Sequence, residues 1–360
     1  MIDLDRLKAL SGMLVPLGRA AARRGSPVYL IQFVTDRCNA RCDFCFSVTR
    51  RGPEMTVDDY ARFTPTLGRL LYLSLTGGEP FLRTDLGEII DLYVRATQPR
   101  VLLIPTNGFF PERVEAVMGA ATARHPGTSF EMSVSVDAIG AEHDRLRRLD
   151  GLFDRVVETL RTLRALARRR ENFHFGANLT LGEHNLDSAS DTVDHLFDHL
   201  KMRNVTLNIA RDNRPRALPS MDPERLLQIY RKVEARIDRD RGGFSHLDFG
   251  PLLNRVRKAR RGYLLDLIAS NGRSAIPCTA GRVSAVIDSR GNVSSCEPWP
   301  EPMGNVVAEG HDFPRVFEGE KAERIRAAIR DTRCHCTHEC FNNVNMMFTP
   351  QGLLRTARGG

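Results

Sequence analysis

From residue 28 onward, short apolar runs alternate with longer stretches whose apolar residues recur every three or four positions. The runs are Val28–Val34, Leu71–Leu75, Val101–Ile104, Phe130–Val136, Phe173–Leu181 and Asn204–Ile209. Their length and β-branched content predict strands. Between them, Asp85–Arg95 spaces Leu86, Ile89, Ile90, Tyr93 and Val94 on one helical face. Phe153–Arg168 does the same with Val156, Val157, Leu160, Leu163 and Leu166, and Asp187–Leu200 with Val193, Leu196 and Leu200. These predict amphipathic helices, and Pro223–Ile237 predicts a last one. Repeated strand–helix alternation predicts an α/β fold with a parallel sheet under covering helices. Six such units predict a partial (β/α)6 barrel of TIM type over residues 28–240 rather than a closed eightfold one. Beyond residue 240 the alternation gives way to Gly and Pro, with a hairpin predicted over Val283–Cys296 around Asp288–Gly291. Residues 241–360 therefore read as a loop-rich C-terminal cysteine domain. Residues 1–27, with Arg6, Lys8, Arg19, Arg23 and Arg24 beside Leu7, Leu10, Met13 and Leu14, read as a helical lead-in packed on the main domain.

Composition narrows the classes. The chain has 360 residues, 42% hydrophobic and 27% charged, which excludes a disordered chain, a collagen or a coiled-coil rod. A net charge of +8 is carried mostly by Arg, with no dense basic run interleaved with aromatics, so no nucleic-acid partner is expected. No stretch approaches the roughly 18 apolar residues of a transmembrane segment. Asp3 and Asp5 stand where a secretory signal would be positive. A cytoplasmic location is therefore expected. There, tightly spaced cysteines read as metal ligands before disulfides. Eight are present, three between residues 38 and 45 and five between 278 and 340.

Cys38-x3-Cys42-x2-Cys45 directly follows the first predicted strand, and loops at the carboxyl ends of barrel strands are where active sites are built. Three thiolates so close can hold a 4Fe–4S cube while leaving one iron without a protein ligand. A structural zinc with a distant fourth ligand is the alternative. After the second strand comes Thr76-Gly77-Gly78-Glu79-Pro80. The cysteine triad with Phe44 before its third member, followed by this segment, resembles the radical S-adenosylmethionine (SAM) enzymes over residues 28–240.

The resemblance implies a 4Fe–4S cluster on Cys38, Cys42 and Cys45 whose open iron takes the amino and carboxylate groups of SAM. Gly77, Gly78, Glu79 and Pro80 match the family's GGEP turn, where glycines let the backbone approach the methionyl ammonium and the carboxylate suits a cation. Asn107, in Thr106-Asn107-Gly108, would lie in the cofactor groove. Ser135 and Asp137 match a SAM-contacting SxD pattern. Arg147, at the end of His143-Asp144-Arg145-Leu146-Arg147, is a candidate for the SAM carboxylate, although Arg148 stands where relatives often have Gly. Asn178 is a further cofactor candidate. Read without the resemblance, these are a tight turn, a β-turn and a helix N-cap. The implied chemistry is reductive cleavage of SAM to a 5′-deoxyadenosyl radical that takes a hydrogen atom from substrate. The electron would come from a donor such as a flavodoxin or ferredoxin.

Cys278-x12-Gly291-x4-Cys296, then Cys334-x-Cys336-x3-Cys340, resembles the SPASM/twitch subgroup in shortened form. Five thiolates cannot complete two four-thiolate clusters. One auxiliary 4Fe–4S cluster is therefore expected, on Cys278, Cys296 and Cys340 plus Cys334 or Cys336, with zinc on His335 or His338 as the alternative. Relatives that modify peptides often carry an N-terminal recognition domain of about 80 residues. The 27 residues before the first strand are too few for a small domain, which favours a small-molecule or carbohydrate substrate. The alternatives are a maturase of ribosomally made peptides and, in another class, a non-catalytic iron–sulfur electron carrier or binding module.

Overall fold

The structure is a computed structural model that describes residues 26–45, 52–210, 214–240, 242–243, 250–273 and 275–358. The predicted lead-in helix falls almost wholly outside the described residues. The six predicted strands are present as β1 (Tyr29–Thr35), β2 (Tyr72–Gly77), β3 (Val101–Thr106), β4 (Ser129–Ser135), β5 (Phe173–Leu181) and β6 (Val205–Ile209). They pair in parallel and in chain order. Every residue of β1 is buried, as expected of a strand covered on both faces. The predicted hairpin forms from β7 (Ser284–Ile287) and β8 (Asn292–Ser294), with β9 (Gly304–Asn305) added. One feature was not foreseen. β7 pairs in parallel with β1, Tyr29 opposite Ser284 and Gln32 opposite Ile287. The tail therefore extends the barrel sheet, giving the order β6-β5-β4-β3-β2-β1-β7-β8-β9. Its two ends do not pair with each other, so the barrel is partial.

The predicted helices occur at Leu86–Thr97, Leu152–Arg169, Ala189–Asp194 (continued by a π turn, His195–His199) and Pro223–Arg239. Leu152–Arg169 buries Leu152, Val156, Leu160, Leu163 and Leu166, and the Asp144 carboxylate accepts from its first-turn N–H of Phe153 at 2.7 Å. The tail departs from a loop-rich reading. It contains helices Gly250–Ala269, Glu320–Asp331, Glu339–Phe348 and Pro350–Arg358. Gly250–Ala269 escaped notice because its buried face includes Arg260 among Val256, Ala259, Tyr263, Leu264 and Leu267. Glu339–Phe348 escaped because it begins inside the last cysteine run. It docks on the open edge of the sheet, where Glu339 Oε1 accepts from Ile209 N at 2.9 Å.

Candidate active site

The cysteine loop leaves β1 with its start pinned from several sides. Thr35 Oγ1 and Asp36 N donate to Glu54 Oε1 at 2.7 and 2.8 Å. Gly78 N donates to Thr35 O and Glu79 N to Arg37 O, both at 2.8 Å, and Arg41 N donates to Arg147 O at 3.0 Å. The glycine pair is required by this packing. A Cβ on Gly77 would lie 2.1 Å from Thr35 O, and one on Gly78 2.1 Å from Arg37 O. The requirement thus comes from the cysteine loop, and Gly77 also has φ +143°, which favours glycine.

Glu79 is fully buried and serves as a brace. Its Oε1 accepts from Phe81 N at 3.1 Å and Thr106 Oγ1 at 2.9 Å, and its Oε2 from Asn107 N at 2.7 Å. It thereby ties the end of β2 to the end of β3. Burial pushes its pKa from 4.5 up to about 7, against these hydrogen bonds and the nearby Arg147 charge. Between those values the folded protein holds a proton that the unfolded chain has released. Glu79 therefore makes stability fall as pH rises from about 4.5 through about 7, and nothing further is lost above. We expect Glu79→Gln to flatten this dependence. In urea unfolding at pH 5.5 and 8, the wild type should lose on the order of 1–3 kcal/mol more than the variant over that interval. Parallel losses in the two proteins would contradict the assignment.

Asp137 and Arg147 form a second brace. Asp137 Oδ2 accepts from Arg147 Nε at 2.8 Å and from its terminal nitrogen at 2.6 Å, and Oδ1 from Thr180 N at 2.8 Å. Asn185 Nδ2 donates to Asp137 O at 2.9 Å. Asp137 N donates to His143 Nδ1 at 3.2 Å, which fixes the tautomer of that imidazole. Burial, with help from the Arg147 charge, lowers the His143 pKa to about 4, so it stays neutral near pH 7. The Arg147 guanidinium also lies 5.9 Å from the centroid of Phe44, and Phe44 stacks on His184 at 4.2 Å.

A cavity of about 1220 Å³ runs through the barrel from the cysteine loop to the helix Gly250–Ala269. Cys38, Cys42 and Cys45 line one end. Of the residues expected to contact SAM, Gly77, Gly78, Asn107, Ser135, Arg147 and Asn178 line it too, whereas Glu79, Pro80 and Asp137 do not. Thr180, two residues beyond Asn178 and so on the same face of β5, also lines the cavity and accepts from Asn178 Nδ2 at 3.3 Å. Sequence reasoning missed it, although the period of two offered the signal. The stacked rings of Tyr29 and Tyr72, 4.5 Å apart, line the wall beside Cys340.

The three leading thiols suit a cluster rather than a single ion. Among the described residues no three His, Cys, Asp or Glu side chains converge closely enough for one metal, whereas a cube takes each thiolate on a separate iron. Burial pushes the Cys42 thiol up to about 11, against the Arg147 charge, and pushes Cys38 up as well. Cationic irons reverse that preference. Next to Cys38, the buried Asn39 Nδ2 has no hydrogen-bond partner among the described residues, nor has His184 Nε2.

In the tail, Cys278, Cys296, Cys334 and Cys336 gather. Burial, then the fields of Cys278, Cys336 and Cys334, drive the Cys296 thiol well up. Burial raises Cys278 to about 12 and Cys334 to about 11, with Cys334 and Cys336 respectively adding to it. Beside them, the fully buried hydroxyls of Ser295 and Thr337 donate to nothing among the described residues, as expected of groups facing an absent acceptor. For Cys340 the influences are different. Burial pushes its thiol up, but a hydrogen bond and charge from His338 and a hydrogen bond from Tyr29 bring it below the ordinary value. His338 is itself paired with Glu297.

Comparison with known proteins agrees with this geometry. Residues 33–196 match the radical SAM superfamily, and residues 278–341 match the SPASM iron–sulfur cluster-binding domain. The barrel region is thus similar to the radical SAM superfamily and the tail to the SPASM domain. It is 31% identical over 182 residues to the AdoMet-dependent heme synthase of Methanosarcina barkeri, covering 48% of each chain. The fold is similar to that of Streptococcus suis SuiB bound to precursor peptide SuiA, with TM-score 0.57, 12% identity, and coverage of 97% of this chain and 80% of that one. It is also similar to anSMEcpe with bound AdoMet and Cp18Cys peptide, with TM-score 0.56, 14% identity, and coverage of 92% and 99%. The chain thus spans about half the length of the heme synthase it matches. No helix among the described residues is long and apolar enough to cross a membrane.

Proposed function

We propose that this chain is a radical SAM enzyme that acts on a small-molecule substrate held inside the barrel. The carrying observation is one continuous cavity lined both by the three-cysteine loop and by charged side chains such as Glu234, Arg257 and Arg260. When bound, the cluster and SAM supply reductive cleavage to a 5′-deoxyadenosyl radical, which abstracts hydrogen. Cys38, Cys42 and Cys45 would hold the cluster. Gly77, Gly78, Asn107, Ser135 and Asn178 would seat SAM along the strand ends, with Arg147 held in place by Asp137. The protein's task is to fix the reacting atoms against each other and keep water out, and the buried braces at Glu79 and Asp137 serve that rigidity.

Cys278, Cys296, Cys334 and Cys336 would hold one auxiliary 4Fe–4S cluster, a reading supported by the fields of the other three on Cys296. Full thiolate ligation suits electron relay or stapling of the tail. A flavodoxin or ferredoxin would supply the electron. A second reading, modification of a ribosomally made peptide, draws on the peptides bound by SuiB and anSMEcpe. The two readings separate by following 5′-deoxyadenosine release from SAM under dithionite in the absence of oxygen. Small polar metabolites should raise release above the basal rate. Acceleration by peptides alone would favour the second reading, and no release above a cluster-free control would remove both.

A further inference from the structure

The cavity wall contains a cation with no hydrogen bond or ion pair among the described residues. Arg260 lies on the helix Gly250–Ala269 and lines the cavity with Val256 and Arg257, four and three residues away on the same helical face. It is 6% exposed. Its Nε is buried and donates to nothing, and the guanidinium forms no ion pair, among the described residues. The two carboxylates that line the same cavity, Glu234 and Glu339, have contacts of their own. Glu234 pairs with Arg257 at 3.0 Å and with Arg261 at 3.7 Å. Glu339 Oε1 accepts from Ile209 N at 2.9 Å and from the Tyr230 hydroxyl at 3.5 Å. Arg is always charged and offers five donors in a fixed fork. A buried cation of this kind costs stability unless something anionic meets it.

We infer that Arg260 receives an anionic group of the substrate, a carboxylate or a phosphate, inside the barrel cavity that the three-cysteine loop also lines. This rests on the proposed small-molecule reading and narrows it to acidic substrates. The fork matches the two oxygens of such a group in a bidentate pair. Holding the substrate by its charged end places an uncharged C–H toward the SAM end. The fixed position of Arg260 on a helix, rather than on a loop, makes that placement reproducible.

The test uses the reconstituted holoprotein without oxygen, with inorganic phosphate and malonate as probes and dimethyl malonate as the uncharged control. Calorimetry should show binding of at least one anion and none of the diester. Affinity should fall at least tenfold in Arg260→Gln and be partly restored in Arg260→Lys. The preferred anion tells phosphate from carboxylate. Thermal unfolding adds a readout that a structural arginine would move the other way. Without added anion, Arg260→Met should unfold at a temperature equal to or above the wild type, because an uncompensated buried charge is gone. The wild type alone should gain from added anion. Equal anion affinity in wild type and Arg260→Gln, equal binding of the diester, or a lower melting temperature in Arg260→Met would overturn the assignment. Loss of basal SAM cleavage in the wild type would instead overturn the radical SAM reading.

Discussion

Cys296→Ala is expected to lower bound iron from about eight to about four atoms per chain, and Cys340→Ala to leave it near eight. The difference follows from position. Cys296 is surrounded by Cys278, Cys334 and Cys336, and burial together with their fields makes its thiolate untenable without a cation. Cys340 instead faces His338 and Tyr29 at the cavity wall. Iron and acid-labile sulfide, measured on anaerobically reconstituted protein, decide the matter. A fall to about four in Cys340→Ala would return that thiol to the ligand set that its spacing suggests.

The second large effect concerns the buried pair behind the SAM end. Asp137 is fully buried and the Arg147 side chain 9% exposed. Removing one member strands the other as an uncompensated charge. Asp137→Ala is therefore expected to destabilise the protein by about 3–5 kcal/mol, whereas the double change Asp137→Leu with Arg147→Met should cost much less. The single variant should also disturb the cysteine loop, because Arg147 O accepts from Arg41 N. Anaerobic urea unfolding of the two variants measures this. A loss below about 1 kcal/mol in Asp137→Ala would place the pair with ordinary surface ion pairs.

Legibility in the sequence followed physical period. The six barrel strands and their long helices carry unbroken apolar patterns, and they fold where those patterns lie. The cysteine triad and Gly77–Gly78 were legible because each sits just after a strand. Other features depend on contacts distant in sequence. The pairing of β7 with β1 joins residues some 250 positions apart, and a short strand such as Ser284–Ile287 carries no mark of its neighbour. Arg260 was hidden within Arg255-x-Arg257-Lys258-x-Arg260-Arg261, a run that reads as a solvated face. Its burial depends on how its helix packs against the helix Pro223–Arg239. The role of Glu79 was similarly masked. The motif marks it as a carboxylate near a cation, while three donors from its own turn and from β3 turn it inward. For the auxiliary thiols, spacing alone left Cys334 and Cys336 as alternatives. The turn before Glu339–Phe348 brings both close enough to act on Cys296.

Cys38, Cys42 and Cys45 are proposed to hold a cluster with one iron left for SAM. Electron paramagnetic resonance of the dithionite-reduced protein tests it directly, in a Cys296→Ala background that removes the auxiliary signal. Adding SAM should change the shape and position of the remaining cluster signal, and Cys42→Ala should abolish that signal. A spectrum indifferent to SAM would mean that every iron is already satisfied by the protein, and the proposed chemistry would then have no entry point.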